Sequence, residues 1–167
     1  HKLYSHAQAT IAICELYGMT RDEDFRRPAQ LAVNYCCEIQ DDDGVAPDGG
    51  WKYDPHRDSD TSVTGWFVMA LQSARMAGLD VPSDVFAKVA KFLDSVTEDG
   101  TYYAYMPGYA AKPSLTAEGL LCRQYLGWKR DDPRLIEGAE YLSRNPVDWS
   151  DTNTYYWYYA TQVMHHM

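Results

Sequence analysis

The sequence predicts an all-α protein in which inner and outer helices alternate along the chain. Four segments with a similar pattern of residues recur, and they begin at residues 5, 61, 114 and 152. Three amphipathic segments lie between them, and the connections are polar and rich in glycine. The recurring segments are apolar over a wide arc, whereas the other three carry one apolar stripe. We therefore expect inner helices that line an axis and outer helices that cover them.

Caps and prolines set the expected helix boundaries. The predicted helices cover residues 5–17, 28–39, 61–77, 82–96, 114–126, 133–143 and 153–165. The recurring segments start at hydroxyl or Asp side chains, which cap helix N-termini. The other three have a proline near the predicted first turn, where its missing N–H costs no hydrogen bond: Pro28, Pro82 and Pro133. Aligning Ala70 with Cys122 gives a repeat of 52 residues between the second and third recurring segments.

The composition limits the classes of function. The chain has 167 residues, of which 46% are hydrophobic, so one domain with a sizeable core is expected over residues 1–167. A net charge of −9 disfavours nucleic acid as a partner, because phosphate binding needs clustered Lys and Arg. No apolar run approaches the ~18 residues that a membrane span requires. Because the chain opens at His1 without a Met, we expect it to be a piece of a longer protein.

The four cysteines show no metal-binding or redox spacing. They are Cys14, Cys36, Cys37 and Cys122, and no C-x-x-C motif occurs among them. Most lie among apolar residues, where a free thiol behaves as a small hydrophobic group. We expect all four to be reduced, which mildly favours a cytoplasmic location and otherwise leaves the location unknown.

Glutamine and aromatic residues recur after the outer segments. Gln40 is followed, after an insertion, by Trp51, and the later outer segments lead to Tyr102 and Trp149. These motifs resemble degenerate forms of the Gln–Trp repeat of squalene and oxidosqualene cyclases, which protein prenyltransferase β-subunits share in looser form. The resemblance implies an α/α toroid, here an incomplete ring of about three and a half helical hairpins. We expect all four side chains to tie helix ends together rather than to bind a ligand.

The resemblance also shows which catalytic groups are missing. Class II terpene cyclases protonate an alkene with an Asp, and Ser59 stands at that position. Protein prenyltransferases bind zinc through Asp, Cys and His; Asp60 matches the first, but Ser62 replaces the thiolate, and no histidine lies between His56 and His165. We therefore expect neither cyclisation nor prenyl transfer, no metal and no cofactor. Asp60 is expected to cap a helix and is a weak catalytic candidate.

The acidic run after the first outer segment invites a calcium interpretation. Asp41, Asp42 and Asp43 are followed by Asp48, but the twelfth position, where a calcium loop needs a bidentate Glu, holds Lys52. We therefore expect a solvated turn rather than a calcium site.

Two registers of the inner segments supply the other candidate site residues. The first contains His6, Thr64, Thr116 and Thr154. The second contains Gln8, Trp66, Glu118 and Tyr156. A lone histidine such as His6 is more often a packed residue than a catalytic one, and it is a weak candidate. If the second register faces the axis, a partly desolvated Glu118 could act as an acid; alternatively it is a first-turn Glu favoured by the helix dipole.

Aromatic clusters suggest the type of ligand. Tyrosines are frequent in residues 102–109, and residues 155–159 are all aromatic. Aromatic faces suit carbocations, quaternary amines, isoprenoids or sugars, although packing alone also explains such clusters. The expected ligand-binding residues are Gln8, Trp66, Glu118, Tyr155 and Tyr156.

Three classes of function are open on these observations. The first choice is a degenerate cyclase-like or prenyltransferase-like domain that binds an apolar or isoprenoid-type small molecule on an aromatic concave surface. The alternatives are a scaffold or protein-interaction domain, and an enzyme with altered chemistry, such as a lyase or glycosidase that uses carboxylates in the toroid cavity. The rest of the parent chain or another subunit is expected to complete the ring.

Overall fold

A computed structural model describes residues 2–45 and 47–167 of the chain. These residues form seven α-helices: α1 (Lys2–Thr20), α2 (Glu23–Glu38), α3 (Thr61–Ala77), α4 (Ser83–Ser95), α5 (Pro113–Tyr125), α6 (Pro133–Arg144) and α7 (Thr154–His166). Their only β structure is two isolated bridges. The all-α prediction is confirmed, and no predicted boundary differs from the observed one by more than five residues.

The chain divides into two compact units, His1–Phe92 and Leu93–Met167, and the division falls within α4. In the first unit α1 packs against α3, and α2 contacts both helices. In the second unit α5 packs against α7, and α6 contacts both of them. Each unit therefore pairs two helices of the recurring type and covers them with one of the intervening type. The toroid and the single domain over residues 1–167 stay predictions.

Two of the four helices that the sequence marks as widely apolar, α3 and α5, are the most buried. α3 buries eleven of its 17 residues, begins at the cap Asp60 and ends at Gly78, whose φ of 78° suits a glycine. In α5 every residue from Leu115 to Arg123 is buried. The outer helix α6 instead buries four residues along one stripe. The helices α1 and α7, which are also of the recurring type, bury five of 19 and four of 13 residues, so the expected difference between inner and outer helices is clear for α3 and α5 only.

The predicted start of α2 at Pro28 is wrong. The helix begins five residues earlier, at Glu23, where the Asp22 carboxylate accepts a hydrogen bond from the Asp24 N–H. The cap and the acidic first turn favour this earlier start, since both stabilise the positive end of the helix dipole. Pro28 therefore lies in the second turn, where it leaves one carbonyl of the helix without its usual donor.

Replacing Pro28 by Ala is expected to raise the free energy of unfolding of the first unit by about 1–2 kcal/mol. The alanine N–H can donate to the Asp24 carbonyl, and Pro28 is exposed, so no packing is lost. Urea unfolding followed by circular dichroism measures the change. Pro133→Ala is the matched control, because Pro133 lies at the first position of α6, where its N–H is not needed. A destabilised Pro28→Ala protein would contradict this account of α2.

Two further properties bear on the classes of function. None of the helices in the described ranges combines the length and the hydropathy needed to cross a bilayer. All four cysteines are free thiols, and Cys14, Cys36 and Cys122 are buried.

Candidate functional site

Trp51 and Gln40 join the elements of the first unit. The Trp51 ring is buried and stacks on Phe67 with a centroid distance of 4.8 Å, and its indole N–H donates to the Cys36 carbonyl at 2.9 Å. The Gln40 amide donates to the Gly49 and Val85 carbonyls at 2.8 and 3.0 Å. The predicted structural roles of Gln40 and Trp51 are therefore confirmed.

A backbone hydrogen bond at Trp51 recurs in the second unit. The Trp51 N–H donates to the Thr64 hydroxyl at 3.0 Å, and the Tyr103 N–H donates to the Thr116 hydroxyl at 3.1 Å. Both donors precede their acceptors by 13 residues, and the two pairs are 52 residues apart, the repeat that the sequence predicts. We call these two hydrogen bonds the threonine braces.

The threonine braces correct one predicted register. Tyr103, not Tyr102, corresponds to Trp51; its ring is buried, and its hydroxyl donates to the Gly100 carbonyl and accepts from the Arg123 Nε–H. Tyr102 is partly exposed, and its hydroxyl donates to Glu137 at 3.1 Å. The two adjacent tyrosines therefore differ in burial and in their hydrogen-bond partners.

The prediction that Trp149 ties helix ends together is wrong. Its ring is 80% exposed and meets Trp157 edge-on, with a centroid distance of 4.9 Å. A short turn precedes α7 here, and the Asp148 carboxylate accepts hydrogen bonds within it from the backbone and hydroxyl of Ser150. The position 13 residues before Thr154 lies within α6 and not in this connection, unlike the donors of the two threonine braces, which lie between helices.

The first register of inner-helix residues serves the scaffold. The His6 Nε2–H donates to the Ala32 carbonyl of α2 at 3.2 Å, and the ring lies edge-on to Tyr35. Thr64 and Thr116 accept the threonine braces, and Thr154 is exposed. His6 is thus placed as a packed residue, the more common role for a lone histidine.

Asp60 and Ser62 also have structural partners. One Asp60 carboxylate oxygen accepts hydrogen bonds from the Val63 N–H and the Ser62 hydroxyl, both at 2.8 Å. The Ser62 hydroxyl also pairs with the hydroxyl of Tyr4 on α1 at 2.8 Å. The predicted helix cap at Asp60 is confirmed, and Ser62 links α3 to α1.

Ser59 and Asp41 form a buried pair, which corrects part of the predicted solvated turn. The Ser59 hydroxyl donates to the Asp41 carboxylate at 3.2 Å and accepts the Gly50 N–H at 2.9 Å. Asp41 is buried, whereas Asp42 and Asp43 are exposed. Burial raises the pKa of the Asp41 carboxyl. The buried Asp41 thus stabilises the loop between α2 and α3 through its hydrogen bond with Ser59.

Glu118 lies in the second turn of α5 and is completely buried. Its Oε2 atom accepts a hydrogen bond of 2.5 Å from the hydroxyl of Tyr155 on α7. Tyr159, one turn later on α7, is also buried, and its ring is edge-on to Tyr155 at 5.0 Å. Because Glu118 reaches toward α7, the α5–α7 pair contains a carboxyl group among aromatic rings.

The groups around Glu118 are poor acids in this environment. Burial raises the pKa of the Tyr159 phenol, and the negative charge of Glu118 raises it further. The same two causes raise the pKa of the Cys122 thiol, one turn after Glu118 on α5. Tyr159 and Cys122 therefore stay protonated at neutral pH.

Aromatic rings connect this buried carboxyl to the surface. Tyr158 is 41% exposed and meets Tyr159 edge-on at 5.2 Å, and Tyr155 is half-buried. We call Tyr155, Tyr158 and Tyr159 the α7 tyrosine cluster. The cluster therefore extends from the buried Glu118 carboxyl to partly exposed aromatic rings.

Tyr156, another predicted ligand-binding residue, makes its hydrogen bond with the end of α6. The Tyr156 hydroxyl donates to the Asn145 carbonyl at 2.5 Å, so this side chain holds α7 to the end of α6. Gln8 is exposed and Trp66 is half-buried, and both belong to the first unit. Within the second unit, Tyr155 rather than Tyr156 bonds to Glu118, because adjacent residues of a helix point about 100° apart.

The described residues contain no group of three or more His, Cys, Asp or Glu side chains that could hold a metal ion. The described ranges thus define an all-α protein of braced helical hairpins with one buried carboxyl–phenol site. No protein-family model, curated protein or solved structure matches this chain significantly. The resemblance to squalene cyclases and prenyltransferases therefore rests on the motifs in the sequence.

Proposed function

We propose that this chain is a degenerate squalene-cyclase-like or prenyltransferase-like domain that binds an apolar, isoprenoid-type ligand. The observation that carries the proposal is the 2.5 Å contact between Glu118 and Tyr155 beside two further tyrosine rings. The rings supply apolar faces, and the carboxyl–phenol pair supplies a polar anchor for an alcohol at the end of an isoprenoid chain. Helical hairpins from the rest of the chain or from another subunit would complete the ring.

The proposal excludes the standard reactions of the family. Ser59 stands where cyclases place the proton-donating Asp, and its hydroxyl is bonded to Asp41. Ser62 stands where prenyltransferases place a zinc-binding Cys, and its hydroxyl is bonded to Asp60. A serine hydroxyl is far too weak an acid to protonate an alkene, and it is a poor substitute for a thiolate on zinc.

Isoprenoid binding is tested by titrating the full chain with farnesol and geranylgeraniol while intrinsic tryptophan fluorescence is recorded. We expect saturable binding that Tyr158→Ala weakens by about fivefold or more, since the exposed ring contributes contact area without supporting the core. Tyr109→Ala is the matched control, because Tyr109 is an exposed tyrosine outside this cluster. Glu118→Gln removes the charge of the polar anchor. It should weaken the binding of the isoprenoid alcohols more than the binding of a hydrocarbon of equal length.

Two results would contradict the proposal. One is a flat response to every isoprenoid, and the other is an equal loss in Tyr158→Ala and Tyr109→Ala. Incubation with squalene or with farnesyl diphosphate and a Cys-containing peptide should give no cyclised or prenylated product.

A specific observation favours the scaffold alternative. A groove of about 330 Å³ lies between the C-terminal ends of α1 and α3, lined in part by Met19 and Met76. These two side chains are 77% and 74% exposed. Exposed methionines are typical of surfaces that adapt to a partner protein.

The enzyme alternative has less support, since Asp41 and Asp60 serve the scaffold and Glu118 is the one buried carboxylate among the described residues of the second unit.

A further inference from the structure

The loop between α4 and α5 forms a cleft with α6 in the second unit. Its volume is about 660 Å³, within the range of small-molecule pockets. Val96 and Ala104 are buried at its base, and three tyrosines line it: Tyr102, Tyr109 and Tyr141. The cleft is separate from the α7 tyrosine cluster, none of whose residues line it.

Hydrogen bonds hold the loop that forms the cleft. The Ala104 N–H donates to the Val96 carbonyl at 2.9 Å, and the Asp99 carboxylate accepts the Thr101 N–H at 2.8 Å. The Tyr102 ring is edge-on to Tyr141 with a centroid distance of 5.0 Å. The cleft is therefore preformed, and a preformed site loses less conformational entropy when a ligand binds.

The charges around the cleft are mostly negative. Glu98 and Asp99 are exposed at its edge, and Glu137 accepts the Tyr102 hydroxyl at 3.1 Å. None of the described lining residues is Lys, Arg or His. Two acids, Glu137 and Asp99, raise the pKa of the Tyr102 phenol, whereas Arg144 lowers it. Aromatic faces beside carboxylates attract cations, and a bulky organic cation suits a wide cleft better than a metal ion.

We propose that this cleft binds a quaternary ammonium or methylated amine. The proposal goes beyond isoprenoid binding and does not depend on it. The tyrosine faces contact the methyl groups, which are poorly hydrated, while Glu98 and Asp99 provide the opposite charge. The same group occurs in free amines and in lipid headgroups, and the acids at the edge should repel the phosphate of a headgroup.

Choline and 3,3-dimethyl-1-butanol, its uncharged isostere, separate charge from shape. Titrations of the full chain followed by isothermal calorimetry should show choline binding about tenfold or more tightly than the isostere. Phosphocholine should bind more weakly than choline, and an equal or tighter affinity would point to a lipid headgroup and overturn the free-amine form of the proposal. Tighter binding of a neutral oligosaccharide than of choline would overturn the proposal altogether.

Two variants locate the site, and two others serve as controls. Tyr109→Ala should weaken choline binding about fivefold, and Glu98→Gln should weaken it about threefold. Both side chains are exposed and line the cleft. Asp131→Asn is the matched control for charge, because Asp131 is exposed and lies outside the cleft lining. If Glu98→Gln weakens choline no more than Asp131→Asn does, the proposal is wrong. Tyr158→Ala should leave choline binding unchanged, so this site and the isoprenoid site succeed or fail separately.

Discussion

Replacing Trp51 by Ala is expected to lower the free energy of unfolding of the first unit by about 3–5 kcal/mol. The indole is 1% exposed, stacks on Phe67 and donates to the Cys36 carbonyl. The substitution therefore leaves a large cavity, and it also leaves a buried carbonyl without its donor. Urea unfolding followed by far-ultraviolet circular dichroism measures the loss.

Trp51→Phe divides this loss into its parts. Phenylalanine keeps an aromatic ring over Phe67 but cannot donate to the Cys36 carbonyl, so an intermediate loss of about 1–3 kcal/mol is expected. If Trp51→Ala unfolds with a midpoint close to that of the unsubstituted protein, Trp51 does not hold α2 to α3.

Replacing Gly119 by Ala is expected to cost about 1–3 kcal/mol or more in the second unit. A Cβ atom at this position would lie 2.3 Å from the Tyr103 ring. The ring has little freedom to retreat, because its hydroxyl is held by Gly100 and Arg123 and its backbone by the threonine brace to Thr116. Thermal unfolding followed by circular dichroism should show a clearly lowered midpoint.

A double-mutant cycle identifies the cause of that loss. Tyr103→Leu alone removes two hydrogen bonds and a buried ring, and it should destabilise the second unit. Combined with Gly119→Ala, however, it removes the clash, so the double variant should be more stable than the sum of the two losses predicts. Strictly additive losses would mean that Gly119 is required for some reason other than the close approach of Tyr103.

The helices were largely predictable because their signals are local. The boundaries of α3 agree with the predicted 61–77, since Asp60 caps one end and Gly78 follows the other. The prolines at the other outer helices suggest a start at Pro28, but Asp22 is the stronger start signal for α2. A cap and a proline compete at this helix, and the energy of the cap decides where it begins.

The candidate site was only partly predictable. Sequence reasoning left two places open for Glu118, partly desolvated at the axis or in a dipole-stabilised first turn, and the structure buries it in the second turn. The register also paired it with Tyr156 rather than Tyr155. Five consecutive aromatic residues give no periodicity from which to choose a face, and the packing of α6 makes the choice by taking the Tyr156 hydroxyl. The assignment of Tyr102 in place of Tyr103 failed for a similar reason, because adjacent tyrosines look alike in sequence.

The donor and the acceptor of a threonine brace differ in how freely their residues can be substituted. The donor at position 51 or 103 is a backbone N–H, which every residue except proline supplies, whereas the acceptor is a side-chain hydroxyl that few residues carry. Divergence can therefore exchange Trp for Tyr at the ring position and keep the brace, provided that the hydroxyl 13 residues later is retained. Proteins that share this brace can therefore lose the tryptophans by which a repeat is recognised and still keep the same fold.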